Sequence, residues 1–302
     1  MLQYPDIDKI ALNLGPIKIY WYGIMYLIGF AVAWILAKIR IKKLLGIKNS
    51  WIAKSHKKHE TRNDDFDIII KEPSLQAFST KQSTTQKPND LISDFIFYAA
   101  IGGVLGGRIG YVLLYEFSDF LHSPVIIFKT WLGGMSFHGG IIGLLIGLFF
   151  FAKKINAPYL TMMDFTAPLV PLGIALGRIG NFINSELFGR TTNISWGIIF
   201  PNGGPLPRHP SQIYESLTEG LLLFIILWLY STKPRPQGSV SALFILLYGI
   251  MRFGCEFFRE PDMHIGFVAL NWLTMGQILS LPMIVIGGIM LILVNKHDNR
   301  RL

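Results

Sequence analysis

Residues 165–189 read FTAPLVPLGIALGRIGNFINSELFG, an apolar run that carries Arg178, Asn181 and Asn184 in its second half. A helix needs roughly 20 apolar residues to cross about 30 Å of hydrocarbon, and this stretch supplies them from Phe165 to Ser185. An arginine inside such a span costs about 2.5 to 3.5 kcal/mol on insertion scales, so it is kept where a partner or an anionic ligand offsets it. The stretch therefore reads as a membrane span and as part of a site.

The rest of the chain agrees. Of 302 residues, 51% are hydrophobic and only 16% charged, and further apolar runs cover Tyr20 to Ala37, Leu91 to Tyr115, Leu132 to Phe151, Ile213 to Tyr230, Ser239 to Phe258 and Thr274 to Val294. The expectation is an all-α, polytopic integral membrane protein of about seven transmembrane helices, built as one transmembrane catalytic domain over 1–302. Pro5, Asp6 and Asp8 stand where a signal peptide would be basic, so the first span is expected to stay in place.

Basic residues set the expected topology. Lys38, Arg40, Lys42, Lys43 and Lys48 follow span one, Lys153 and Lys154 span three, Lys233 and Arg235 span five, and Lys296, Arg300 and Arg301 span seven. Basic loops are retained in the cytoplasm, which puts the N-terminus outside and the C-terminus inside. The net charge of +9 is thus a topology signal and points to no nucleic-acid partner. Residues 49–90 turn polar apart from Phe66 to Ile70 and read as a cytoplasmic loop insertion; residues 186–211 form a short extracytoplasmic segment.

Cys255, the lone cysteine, falls inside span six and has no disulfide partner. His56 and His59 lie in a lysine-rich stretch, and no Cys, His and carboxylate set has metal spacing, so neither a metal nor a cofactor is expected.

Glycines recur every four residues at Gly102, Gly106 and Gly110 and at Gly139, Gly143 and Gly147, spacing that lets helix backbones meet in lipid. The run GGMSFHGG around His138 is rich enough in glycine for its helix to start late and line a cavity. In span four, Arg178, Asn181 and Ser185 share a face with Asn184 close by; in span six, Tyr248, Arg252 and Glu256 do the same. No carboxylate lies three or four residues from Arg178, which leaves Glu256 or Glu186 as its expected counter-ion. Followed through the topology, Tyr22, Arg108, His138, Arg178, Asn181 and Arg252 fall in the outer half of the membrane; Arg178 lies roughly 20 Å up from Phe165.

Arginines, amides and a histidine at headgroup depth suit a phosphate ester beside a moving proton. Arginine grips phosphate with two donors at once, the His138 imidazole can act as general base, and Tyr248 can donate to a leaving oxygen. A membrane transporter of lipids or anions, a lipid-binding protein and a structural scaffold are the competing classes, but no inverted repeat is visible and the polar residues gather toward one face.

These residues resemble a known family, the bacterial prolipoprotein diacylglyceryl transferases. The similarity rests on GRIGNFINSELFG together with WYGIMYLIGF, GGRIGYVL, GGMSFHGG, LPRHPSQIYE, YGIMRFGCEFFREPD and MGQILSLPM, in that family's order, and spans the chain outside the insertion. The resemblance implies a seven-helix enzyme of the bacterial inner membrane whose site faces the extracytoplasmic side. It implies transfer of the diacylglyceryl group of phosphatidylglycerol to the lipobox cysteine thiol of a prolipoprotein signal peptide, leaving a thioether and glycerol phosphate. His138 matches the family's essential histidine, and Arg178 and Arg252 the arginines expected at the lipid phosphate. Tyr22, Asn181, Glu186, Gly189, Tyr248 and Glu256 also fall on family positions, and Arg108 and Asn184 complete the expected lipid-binding set. The insertion departs from the family pattern, on the side away from the site.

Overall fold

The computed structural model describes residues 2–15, 17–56, 88–129, 133–261 and 266–299. Most of the polar insertion, the Phe66 to Ile70 patch and the Leu132 start expected for span three lie outside them.

Helices dominate, as the apolar runs require. In chain order they are α1 (Trp21–His56), α2 (Pro88–Tyr115), the short α3 (Phe117–His122) with a 3-10 turn at Pro124–Phe128, α4 (Phe137–Lys154), α5 (Tyr159–Thr166), α6 (Val170–Ile183), α7 (Ser211–Tyr230), α8 (Ser239–Cys255) and α9 (Met275–Asn299). Five of them are long and apolar enough to cross a membrane, or six if α5 and α6 form one bent span. The protein is therefore a mostly helical membrane protein with five or six candidate spans by length among the described residues. The expected span at Ser239 to Phe258 is the shorter 17-residue α8, which stops at Cys255.

The expected straight span from Phe165 is broken. It starts earlier, at Tyr159, and α5 meets α6 at a 48° bend. Pro168 and Pro171 sit at that bend, and proline removes the N–H that would continue the helix and clashes with the preceding turn. Helix α4 begins at Phe137: Gly133 and Gly134 have φ of +83° and +82°, outside helical space, and the Ser136 hydroxyl caps the start by accepting from the Gly139 N–H.

The chain divides into two compact units, Ala37–Met163 and Met1–Leu36 with Asp164–Leu302. In the first, α2 and α4 pack through their glycines. A Cβ on Gly106 would come 2.6 Å from the Cα of Gly143, and one on Gly110 would come 2.7 Å from the Cα of Gly139. Helix α4 buries Gly139, Gly143 and Gly147 while exposing Ile142 and Phe150. Small residues inside and large apolar ones outside is the packing pattern of helices whose solvent is lipid.

In the other unit, Gly238, whose φ is +91°, caps the start of α8, and Asp164 clamps it: its carboxylate accepts from the Gly238 and Ser241 N–H groups and the Ser241 hydroxyl at 2.6 to 2.8 Å. An acid at a helix N-terminus also meets the positive end of the helix dipole. A small head follows α6. Its strand Ile198–Ile199 pairs in parallel with Leu2–Gln3, and Arg208 fastens it by donating to the Gly203 and Gly189 carbonyls and to Glu260.

Candidate active site

The C-terminal end of α6 builds one half of the site. Ser185 adopts a left-handed φ of +54°, its N–H donates to the Phe182 carbonyl, and the Glu186 N–H reaches back to the Asn181 carbonyl. This pair of bonds is a Schellman ending, which normally takes glycine at the left-handed position. The reversal carries Glu186 back under the helix, where its Oε1 accepts from the side-chain amides of Asn181 at 2.9 Å and Asn184 at 3.3 Å. Leu187 is left-handed too, at +56°. Such non-glycine residues cost about 1 to 3 kcal/mol each and persist only where surroundings hold them. Gln212 supplies one hold, donating to the Glu186 carbonyl at 2.7 Å, and Ser211 another, donating to the Leu187 carbonyl.

The second half is an ionic cluster. Helix α7 changes to a π-helical turn over Ser216–Leu222, a local widening that recurs at functional sites. The Ser216 hydroxyl donates to the Ala175 carbonyl, and a Cβ on Gly220 would come 2.8 Å from the Ala175 Cα, so this turn is pressed against α6 one turn before Arg178. Glu215 and Glu219, both fully buried, point into the same region. Glu215 takes Arg178 Nε on Oε2 and Arg252 Nη1 on Oε1, each at 2.8 Å, and Arg259 Nη1 lies 3.6 Å from Oε1. Glu219 lies 3.8 Å from Arg178 and 3.5 Å from Arg252. Glu256, one turn beyond Arg252, completes the cluster at 2.8 Å and accepts from the Thr274 hydroxyl.

Glu215 and Glu219 thus stand where Glu256 or Glu186 is expected as counter-ion of Arg178. These two acids, four apart in an apolar run, carry a readable signal: a buried charge in a span asks for a partner of opposite sign. Arg259 and Gly276 join the site too; both lie inside stretches that carry the family similarity, YGIMRFGCEFFREPD and MGQILSLPM, although helical period singles out neither. Gly276 makes room for the cluster, since a Cβ there would come 2.7 Å from the Glu256 carboxylate carbon.

Other expected residues serve differently. Tyr22 is 3.3 Å, hydroxyl to hydroxyl, from Tyr26, and its ring fills the space a Cβ on Gly180 would need. Tyr248, one turn from Arg252 on α8, stacks its ring on Phe244. Gly189 acts through its backbone: its N–H donates to the His209 carbonyl, its carbonyl accepts from Arg208, and a Cβ would come 2.7 Å from the Cβ and carbonyl of His209. His209 itself packs against Tyr214 and Phe258, and burial pulls its pKa below the usual imidazole value.

Arg108 and His138 belong to the Ala37–Met163 unit. His138 lies exposed in the first turn of α4. Arg108 is buried and commits its guanidinium to backbone: Nε donates to Ile127, Nη1 to Gly133 and Gly134, and Nη2 to Ile126 and Lys129, at 2.6 to 3.2 Å. That accounts for all five of its N–H donors, where the sequence suggests a contact to lipid phosphate.

A sequence model described as prolipoprotein diacylglyceryl transferase matches residues 9–58 and 73–293. The chain belongs to the prolipoprotein diacylglyceryl transferase family. The gap between the two matched stretches falls in the polar insertion. Similar members of the family include proteins named phosphatidylglycerol--prolipoprotein diacylglyceryl transferase from Coxiella burnetii (strain RSA 331 / Henzerling II), 48% identical over 99% of this chain and 100% of the relative, and from Legionella pneumophila (strain Lens), 49% identical over 95% and 97%. A third such relative, from Pseudomonas aeruginosa (strain LESB58), is 45% identical over 99% of this chain and 97% of its own.

Proposed function

We propose that this chain transfers the diacylglyceryl group of phosphatidylglycerol to the lipobox cysteine of a prolipoprotein. The observation that carries the reading is the pair Arg178 and Arg252, brought from two helices onto the two oxygens of one buried carboxylate, Glu215. Family membership supplies the substrate class.

In this reading the thiolate sulfur attacks the glycerol carbon that bears the phosphate. The carbon–sulfur bond forms as the carbon–oxygen bond breaks, and the electron pair leaves on the phosphate oxygen of glycerol phosphate. The thiol proton passes to a base, for which His138 is the candidate. Only a few per cent of a free thiol is ionised near pH 7, so the base or a positive field is needed. Arg178 is the arginine with donors in reserve: its pairs use Nε and, at 3.8 Å, Nη2. Arg252 has both terminal nitrogens engaged by Glu215, Glu219 and Glu256, and contributes field and order around the departing phosphate. Asn181, Asn184 and Glu186 hold the turn beside Arg178, and Tyr248 stands one helical turn from Arg252, in reach of a leaving oxygen in this scheme.

Counting Arg178, Arg252 and Arg259 against Glu215, Glu219 and Glu256, the ionised cluster is formally neutral. Its arginines are therefore stored in the membrane without an unpaired charge and are shared with the lipid phosphate on binding. The chain acts as one catalytic domain of seven spans in the bacterial inner membrane, N-terminus outside, with the site toward the extracytoplasmic face; the basic loops support this topology.

The test is transfer of labelled glyceryl lipid from phosphatidylglycerol to a lipobox peptide by purified protein in detergent. Label on the peptide with equimolar glycerol phosphate, lost with His138→Ala and with a Cys→Ser peptide, is the expected result. Binding of phosphatidylglycerol without transfer would favour a lipid carrier instead.

A further inference from the structure

We propose that Arg108 is a positioning residue for His138, acting through the loop that delivers α4. The catalytic half of this proposal rests on the transferase reading. Its structural half stands on the geometry alone.

Two stretches of chain meet at the Arg108 guanidinium. On one side are carbonyls from the end of the 3-10 turn, Ile126 and Ile127, with Lys129; on the other are Gly133 and Gly134. The Ile126 carbonyl already takes the Lys129 N–H that closes the turn, and the guanidinium adds a second donor to it. A fork of five donors in one plane meets both sets, which the single ammonium of lysine cannot. The neighbouring residue adds a sixth tie: the Gly107 carbonyl accepts from the Ser136 N–H at 2.9 Å. Tyr111, one turn on from Gly107, lays its ring against Gly134, where an added Cβ would collide with the ring carbons.

The path from this staple to His138 is short and stiff. Gly133 and Gly134 are held in left-handed backbone, Ser136 caps α4, and Gly139 is packed on Gly110, so the chain on both sides of His138 is held against α2. Displacing a catalytic group by about 1 Å can cost on the order of 100-fold in rate, so a staple two residues before a helix cap can govern turnover without touching substrate.

The experiment compares wild type with Arg108→Lys, Arg108→Gln and Gly133→Ala in the full-length protein in detergent. Backbone hydrogen exchange over 124–140 is measured together with kcat and KM for phosphatidylglycerol. Faster exchange in that segment is expected in all three variants, with kcat down by on the order of 100-fold and KM for the lipid little changed. Raised KM with retained kcat and unchanged exchange in the arginine variants would make Arg108 a phosphate ligand and overturn the proposal. If either arginine variant does not fold, Gly133→Ala, which alters no charge, decides: unchanged exchange and kcat there also overturn it. Wild type that binds lipid but transfers nothing would instead overturn the transferase reading, and the exchange data alone would then judge the staple.

Discussion

Glu215 Oε2 lies 2.8 Å from Arg178 Nε, so the arginine in the middle of the apolar run is met by an acid from the next span and not by one on its own helix. Because the same carboxylate also takes Arg252 and Arg259, its loss and the loss of Arg178 have different consequences. Arg178→Gln leaves Glu215 two other arginines, so the protein should remain folded while transfer falls below detection. Glu215→Gln strips three cations of their shared anion, and breaking a buried pair costs about 3 to 5 kcal/mol. A much larger drop in melting temperature for Glu215→Gln than for Arg178→Gln, measured in detergent, is the expected order; the reverse order would mean that Glu215 does not organise the cluster.

Gly276→Ala should mimic damage to Glu256. The new methyl group occupies the place of the carboxylate, which must swing away from Arg252 and from the Thr274 hydroxyl. Overpacking of this kind costs about 1 to 3 kcal/mol. Transfer activity lowered to the level of Glu256→Gln is expected, and activity like wild type would show that Glu256 tolerates another position.

Ser185→Gly should stabilise. Ser185 bears the strain of left-handed backbone, and its buried hydroxyl has no hydrogen-bond partner among the described residues, so glycine removes strain and loses none of those contacts. A gain of about 1 kcal/mol is expected from thermal melts. A loss would mean that the hydroxyl has a partner among water or lipid groups.

The head should weaken in acid. His209 has a folded pKa below its unfolded value because burial disfavours the charged ring. The unfolded chain then binds more protons as pH falls below about 6.5, so this contribution to stability is complete above that pH and is lost progressively down through the folded pKa. Melting temperature against pH should fall less steeply below about pH 6.5 in His209→Gln than in wild type, and parallel curves would dismiss the histidine as the cause.

Deleting Lys54 to Lys87 should leave turnover largely intact, since the family match is interrupted there and the segment joins α1 to α2, neither of which supplies a residue to the ionic cluster. Normal membrane insertion with no transfer would assign the insertion a role in catalysis.

How much of this is legible in the sequence follows from the range of each interaction. The stripe of Arg178, Asn181 and Asn184 is readable because helical period places them together, and the glycine ladders because close helix packing leaves a four-residue repeat. The Arg178 to Glu215 pair is not, since it joins separate spans and periodicity says nothing of which helices touch. The bend after Thr166 is announced by Pro168 and Pro171, yet the apolar run masks it. The charge of Arg108 suggests a phosphate ligand; its partners in the fold are carbonyls, which every residue carries and no sequence pattern marks.

The parallel pairing of Leu2–Gln3 with Ile198–Ile199 also bears on biogenesis. The hydroxyl of Tyr4, just beyond that strand, meets the Phe182 and Ile183 carbonyls at the end of α6. This segment precedes α1 in the chain, so it must wait through the synthesis of α1 to α6 before its partners exist. The head therefore closes late, and the end of α6 gains the Tyr4 hydroxyl on its Phe182 and Ile183 carbonyls only when this early segment has come back to it.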